Sequence, residues 1–105
     1  MNIRIQLAAA VLASISASAA LANESAALHT RGLAATCANC HGTDGRTTEG
    51  SAIPSLVGMP KEYHVLQMQA FKNGTRPATV MHQITKGLTD AQIDTIASYY
   101  ATTKR

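Results

Sequence analysis

The chain has 105 residues, 46% of them hydrophobic, and a formal net charge of +3. That length holds one domain, and the scattered Lys and Arg residues exclude the clustered basic stripe that phosphate binding requires. With no Trp and a single Phe, the supply of large apolar side chains is thin, and a chain this small with so thin a core needs something further to staple it.

The first segment reads as removable. Asn2 to Arg4 supplies a positively charged start, no charged residue follows from Ile5 to Asn23, and the run closes on Ala20-Leu21-Ala22. This is the small-x-small pattern of a secretory cleavage site. It predicts a signal peptide over residues 1–22 and an exported, periplasmic domain over residues 23–105. The rival reading is an uncleaved membrane anchor. Ala dominates the stretch and Ser14, Ser16 and Ser18 interrupt it, which is marginal for a hydrocarbon core that needs about 20 apolar residues. No stable membrane insertion is expected once the leader is gone.

The domain that follows predicts an all-α fold with three main helices and long loops. The first helix runs from about Glu24 to Thr36, with Leu28, Gly32 and Ala35 on one face. It leads into Cys37-Ala38-Asn39-Cys40-His41, which contains both cysteines of the chain. Cys-x-x-Cys-His is the pattern of c-type haem attachment. Cysteines one turn apart can form thioethers to the two vinyl groups of one porphyrin, and the tether brings His41 Nε2 to the iron as an axial ligand. Three plainer readings compete. A redox disulfide pair lacks a surrounding βαβ pattern, and a zinc site lacks a second pair of ligands. A structural disulfide is common in exported proteins but would close too small a loop to stabilise much. Losing Arg4 with the leader lowers the formal charge to +2, and two ionised haem carboxylates bring it near zero. The sequence pI of 9.1 is therefore no sign of nucleic-acid binding.

Gly42, Gly45, Gly50 and Gly58 mark a loop that contains Ile53-Pro54-Ser55-Leu56. A metal-bound imidazole normally donates its other N–H to a fixed acceptor. The Pro54 carbonyl is a candidate because the ring stiffens the local backbone, although an ordinary loop proline is the plainer reading. The second helix follows Pro60, placed as its first residue. Tyr63, Leu66 and Ala70 line one side with Met68 and Phe71 beside them, and Asn73-Gly74 ends it. Candidates for a second axial ligand are Met59, Met68, Met81, His29, His64 and His82. Met81 is favoured, in a loop that can fold over the haem face opposite His41. His82 is its rival, Met68 fits core packing, and His29 and His64 read as solvent-facing. A thioether ligand favours ferrous iron and raises the potential relative to bis-histidine ligation. In the third helix Thr89 and Gln92 have capping-box spacing, and Leu88 and Ile93 can form the accompanying staple. Ile93, Ile96, Ala97 and Tyr100 form its apolar face, and Lys104 and Arg105 close it where cations suit the dipole.

On these residues the mature chain resembles a class I cytochrome c. The resemblance rests on Cys37 to Gly45, Ile53-Pro54-Ser55-Leu56, Ala78-Thr79-Val80-Met81 and the helix from Thr89. It implies a small fold wrapped around one covalent haem, with His41 and Met81 as ligands and the Pro54 carbonyl on His41. It also implies a crossing of the first and last helices, with Gly32 against Tyr99 or Tyr100. Phe71-Lys72-Asn73-Gly74 and Ala78 to Leu88 are similar to the haem domain of the cytochrome subunit of flavocytochrome c sulfide dehydrogenases. The better-known members carry two haem domains, whereas this chain has a single attachment motif. The resemblance implies one-electron transfer without bond chemistry, as a carrier or as a subunit fed by a flavoprotein in sulfide oxidation. The alternative is a small peroxidase-like enzyme or a gas-binding protein with an open sixth position. An enzyme would need a distal base, for which His82 is available, but no distal Arg-His pair is evident. A sensor would need an output domain.

Overall fold

The computed structural model describes residues 3–104. Asn2 and Arg105, read above as part of the leader's charged start and the last helix's basic end, lie outside them. The fold is all-α, with no strand among the described residues and five helices in place of the three expected. These are α1 (Ile3–Ala35), α2 (Ala38–His41), α3 (Lys61–Lys72), α4 (Met81–Lys86) and α5 (Asp90–Thr102), with a 3₁₀ turn at Thr43–Gly45.

α1 starts far upstream of Glu24. Residues 3–22 are built largely from strong helix formers and contain no Pro or Gly to stop the helix. Its serines do not interrupt it either, because Ser14, Ser16 and Ser18 each donate to the carbonyl four residues back, at 2.9, 3.0 and 3.0 Å. This 33-residue helix is long and apolar enough to cross a membrane, and its most apolar stretch is entirely exposed. It sets the long axis of a molecule measuring 70 × 29 × 20 Å. Leu28, Gly32 and Ala35, expected on the packing face, are exposed. The helix meets α5 only near its end, so Ala34 and Leu33 make the contact instead.

α5 supplies the other half of that crossing. The capping box forms as expected: Gln92 N–H donates to Thr89 Oγ1 at 3.1 Å and Thr89 N–H donates to Gln92 Oε1 at 2.9 Å. Ile93, Ile96, Ala97 and Tyr100 are buried. The helix ends at Thr102, so Lys104 stands beyond it, and its carbonyl accepts from the Arg46 guanidinium. Tyr100 is the hub of the core with Ala34, Leu56 and Ile96. Its hydroxyl donates to the Ala34 carbonyl at 2.6 Å, and its own carbonyl accepts from Gly58 N–H at 2.9 Å. The close approach expected of Gly32 belongs to Gly45. A Cβ on Gly32 would meet nothing within 4 Å, whereas one on Gly45 would lie 2.5 Å from Tyr100 Cε1.

α3 packs against both α4 and α5. Pro60 is its N-cap, with ψ of 133°, so the helix proper begins at Lys61. The face it buries carries His64 and Met68, while Tyr63 and Leu66 remain 51% and 63% exposed. Outside the core, Lys61 pairs with Asp94 at 2.8 Å, and Gln69 and Lys72 both reach Asp90 Oδ1, at 2.9 and 3.0 Å. These contacts fasten α3 to α5.

Candidate cofactor pocket

α2 is a single helical turn and positions three groups. The Cys40 and His41 amides both donate to the Cys37 carbonyl, at 3.3 and 3.0 Å, which sets Cys37 one turn from Cys40 and His41. Cys37 is half-buried and Cys40 exposed, and no disulfide joins them. Burial pushes the Cys37 thiol pKa up, partly offset by hydrogen bonding with Thr36 and Tyr100. Directly after His41 the chain reverses through Gly42 at φ +83°. A Cβ there would stand 2.0 Å from the Arg46 carbonyl oxygen, so only glycine permits the turn.

His41 is buried, and its Nδ1–H donates to the Pro54 carbonyl at 2.7 Å. Pro54 sits in the loop that Gly45 anchors, through Leu56 N–H at 2.9 Å and Ser55 Oγ at 3.0 Å on the Gly45 carbonyl. The acceptor is thus tied to the segment that leaves the attachment motif. With Nδ1 committed, Nε2 is the nitrogen left to coordinate a metal.

A cavity of about 280 Å³ brings Cys37, Cys40, His41, Pro54 and Met81 together. Its wall is largely apolar, including Ile53, Leu56, Phe71, Val80 and Ile84. Met59 and Met68 line it too, so all three candidate thioethers reach one space. Met81 stands at the start of α4, where a loop was expected. That helix spans only six residues, too few to declare a period. Thr85 Oγ1 donates back to the Met81 carbonyl at 2.8 Å and is fully buried, which fixes the turn.

The histidines divide differently from expectation. His29 is exposed as expected. His64, read as solvent-facing, is 3% exposed and lines the cavity. The reason is the face α3 turns inward, which places its ring 6.0 Å from that of Tyr100. Burial, with repulsion from His41 second, holds the His64 pKa below the ordinary value. His82 is not among the cavity-lining residues, and its buried Nδ1, like that of His64, has no hydrogen-bond partner among the described residues. Gln67 and Arg76, which the sequence reading did not single out, line the cavity as well. Periodicity carries no sign of Arg76, which lies in a loop.

Two thiols, an oriented imidazole and a thioether around an apolar cavity are the donor set a covalent haem requires. The residues present fit that group. The family model described as cytochrome C oxidase, cbb3-type, subunit III matches residues 24–99. Over 68 residues the chain is 46% identical to the cytochrome subunit of sulfide dehydrogenase from Chlorobaculum tepidum, covering 65% of this chain and 60% of that protein. It is 37% identical to a thiosulfate dehydrogenase electron acceptor from Thiomonas intermedia, over 68% of this chain and 33% of the relative. Cytochrome c-554(548) from Halomonas halodenitrificans is 36% identical, over 63% of this chain and 82% of the relative. The chain thus spans 60% of the length of the first of these and 33% of the second.

Proposed function

Because the chain belongs to the cytochrome c family represented by subunit III of cbb3-type oxidases, we propose that it transfers single electrons through one covalently bound haem c. One observation carries this reading. The His41 imidazole is fixed by the Pro54 carbonyl inside the cavity that Cys37, Cys40 and Met81 also line.

The roles follow from the side chains. Cys37 and Cys40 would hold the haem by thioether bonds, and His41 Nε2 and Met81 Sδ would be the protein's ligands to its iron. When bound, the haem supplies an iron that cycles between ferric and ferrous without bond chemistry on a substrate. The Pro54 carbonyl keeps the imidazole in one tautomer and one orientation, so the ligand set need not rearrange when the charge changes. Ile53, Leu56, Phe71, Val80 and Ile84 exclude water and lower the local dielectric, which disfavours the more charged ferric state. Thr85 holds the turn carrying Met81. The leader over residues 1–22 is a signal peptide, and residues 23–105 work in the periplasm. The relatives named for sulfide and thiosulfate dehydrogenases support a redox enzyme as the electron source, and we take it to be a flavoprotein that oxidises sulfide.

The test is the absorption spectrum of the full chain expressed with haem c maturation machinery, oxidised and reduced. The expected result is a low-spin c-type spectrum with the weak far-red band of thioether-ligated ferric iron. In Met81→Ala that band disappears and the midpoint potential falls. A high-spin parent spectrum, or an unchanged midpoint in the variant, overturns the assignment of Met81. Co-purification with a flavoprotein distinguishes a bound subunit from a free carrier.

A further inference from the structure

His64 is a second imidazole in the cavity. It is 3% exposed and lines the same apolar space as His41 and Met81, and its buried Nδ1 has no hydrogen-bond partner among the described residues. An orphaned buried nitrogen lowers stability, and local costs of this kind concentrate at functional positions. The residue is held where it is. His64 N–H donates to the Pro60 carbonyl at 3.0 Å at the start of α3, and the ring lies 6.0 Å from that of Tyr100, tilted by 36°. Met68, one turn further on, is buried on the same face. α3 packs against α4, which begins at Met81, so the wall carrying His64 adjoins the helix carrying the thioether.

No Asp or Glu lines the cavity, so no carboxylate is there to hold the ring as an imidazolium. Burial, with repulsion from His41 second, pushes its pKa down as well. His64 therefore keeps a free lone pair at neutral pH, and a neutral imidazole is a common metal ligand. We propose that His64 is a reserve axial ligand: when Met81 is off the iron, the His64 imidazole takes the sixth position and keeps it closed. The role rests on the haem c reading above. In the exchange one iron–sulfur bond breaks and one iron–nitrogen bond forms, with no electron or proton transferred. Imidazole in place of a thioether favours ferric iron and lowers the potential, so the exchange belongs to the oxidised protein. Met59 and Met68 line the cavity too, but as thioethers they compete less well for ferric iron. The closed position denies the iron to small ligands such as azide or peroxide, and the protein remains an electron carrier of lower potential.

The test is the ferric absorption spectrum and azide binding of the haem-loaded full chain at pH 7. The variants are His64→Leu, Met81→Ala, Met81→Ala with His64→Leu, and Met81→Ala with Met68→Leu. His64→Leu alone keeps the far-red thioether band of the parent. Met81→Ala loses that band and stays low-spin. Adding His64→Leu turns the iron high-spin, whereas adding Met68→Leu leaves it low-spin. A sixth position occupied by His64 in about nine molecules of ten weakens azide binding roughly tenfold, and the double variant lacking His64 recovers that factor. A high-spin Met81→Ala protein overturns the inference, and so does a low-spin spectrum that survives the loss of His64. A parent whose low-spin spectrum lacks the far-red band overturns the Met81 assignment and the reserve role with it. A parent without a covalent c-type spectrum sinks the haem reading itself. These last two outcomes show in the parent, before His64 is touched, and are thereby distinct from a failure of His64.

Discussion

Two glycines show how differently one residue type is used along the chain. Gly45 has φ of +76° and faces the Tyr100 ring, where a Cβ would stand 2.5 Å from Cε1. Gly45→Ala combines backbone strain with overpacking and is expected to cost about 3 kcal/mol. Gly32 is helical, exposed and has no neighbour for its Cβ within 4 Å, so Gly32→Ala is expected to stabilise by about 0.5–1 kcal/mol. Chemical denaturation of both variants checks the contrast, and a loss at Gly32 larger than that at Gly45 refutes it. His64 presents the opposite situation, a polar group whose Nδ1 is buried without a partner. Its depressed pKa means that folding favours the neutral ring. The associated stability is present above the ordinary value of 6.5 and drains away as pH falls toward the folded-state value. Replacing His64 by Leu removes both the unsatisfied nitrogen and the acid-side loss. A gain of about 1–2 kcal/mol is expected at neutral pH, widening below pH 6.5, and melting curves across pH measure it.

At the scale of elements, the contact between α3 and α5 has a polar latch on its outer side. Asp90 in the first turn of α5 accepts from Gln69 and Lys72, and those bonds, with the Lys72 charge, hold its carboxyl pKa below the usual value. The stability it contributes is present above the ordinary carboxylate range and is lost as pH falls through the depressed value. Asp90→Asn is therefore expected to lower the melting temperature at pH 7 modestly, and the difference from the parent should close in strong acid. A difference that persists there would assign the effect to packing. Local signals made α5 legible in the sequence: Thr89 and Gln92 announce its cap, and four apolar residues share one face. The grouping of Cys37, Cys40 and His41 at one cavity was equally legible, because the three share a single turn of chain. The packing faces of α1 and α3 were not. Both have more than one apolar stripe, and the choice between Leu28 and Ala34, or between Leu66 and Met68, is made by the helix that arrives from elsewhere in the chain. His64 was misread for the same reason, since its burial depends on which way α3 is turned.

Taken whole, the molecule is a small helical body with a rod projecting from it. Residues 3–29 are exposed, and α1 joins the core only in its last turns. Deleting residues 1–22 is therefore expected to leave the melting temperature of the haem-loaded domain unchanged, measured on residues 23–105 against the full chain. A substantial drop would mean that this segment supports the fold. In the body itself, Tyr100 joins segments distant in sequence: the hydrogen bond from its hydroxyl to Ala34 spans 66 residues. Closing so long a loop is slow, because its entropy is lost before the contact repays it. A chain emerging N-terminus first therefore displays Cys37 and Cys40 well before α5 can dock beside them. That bond acts as a clasp: the two ends it joins enclose the whole stretch of chain that carries Cys37, Cys40, His41 and Met81.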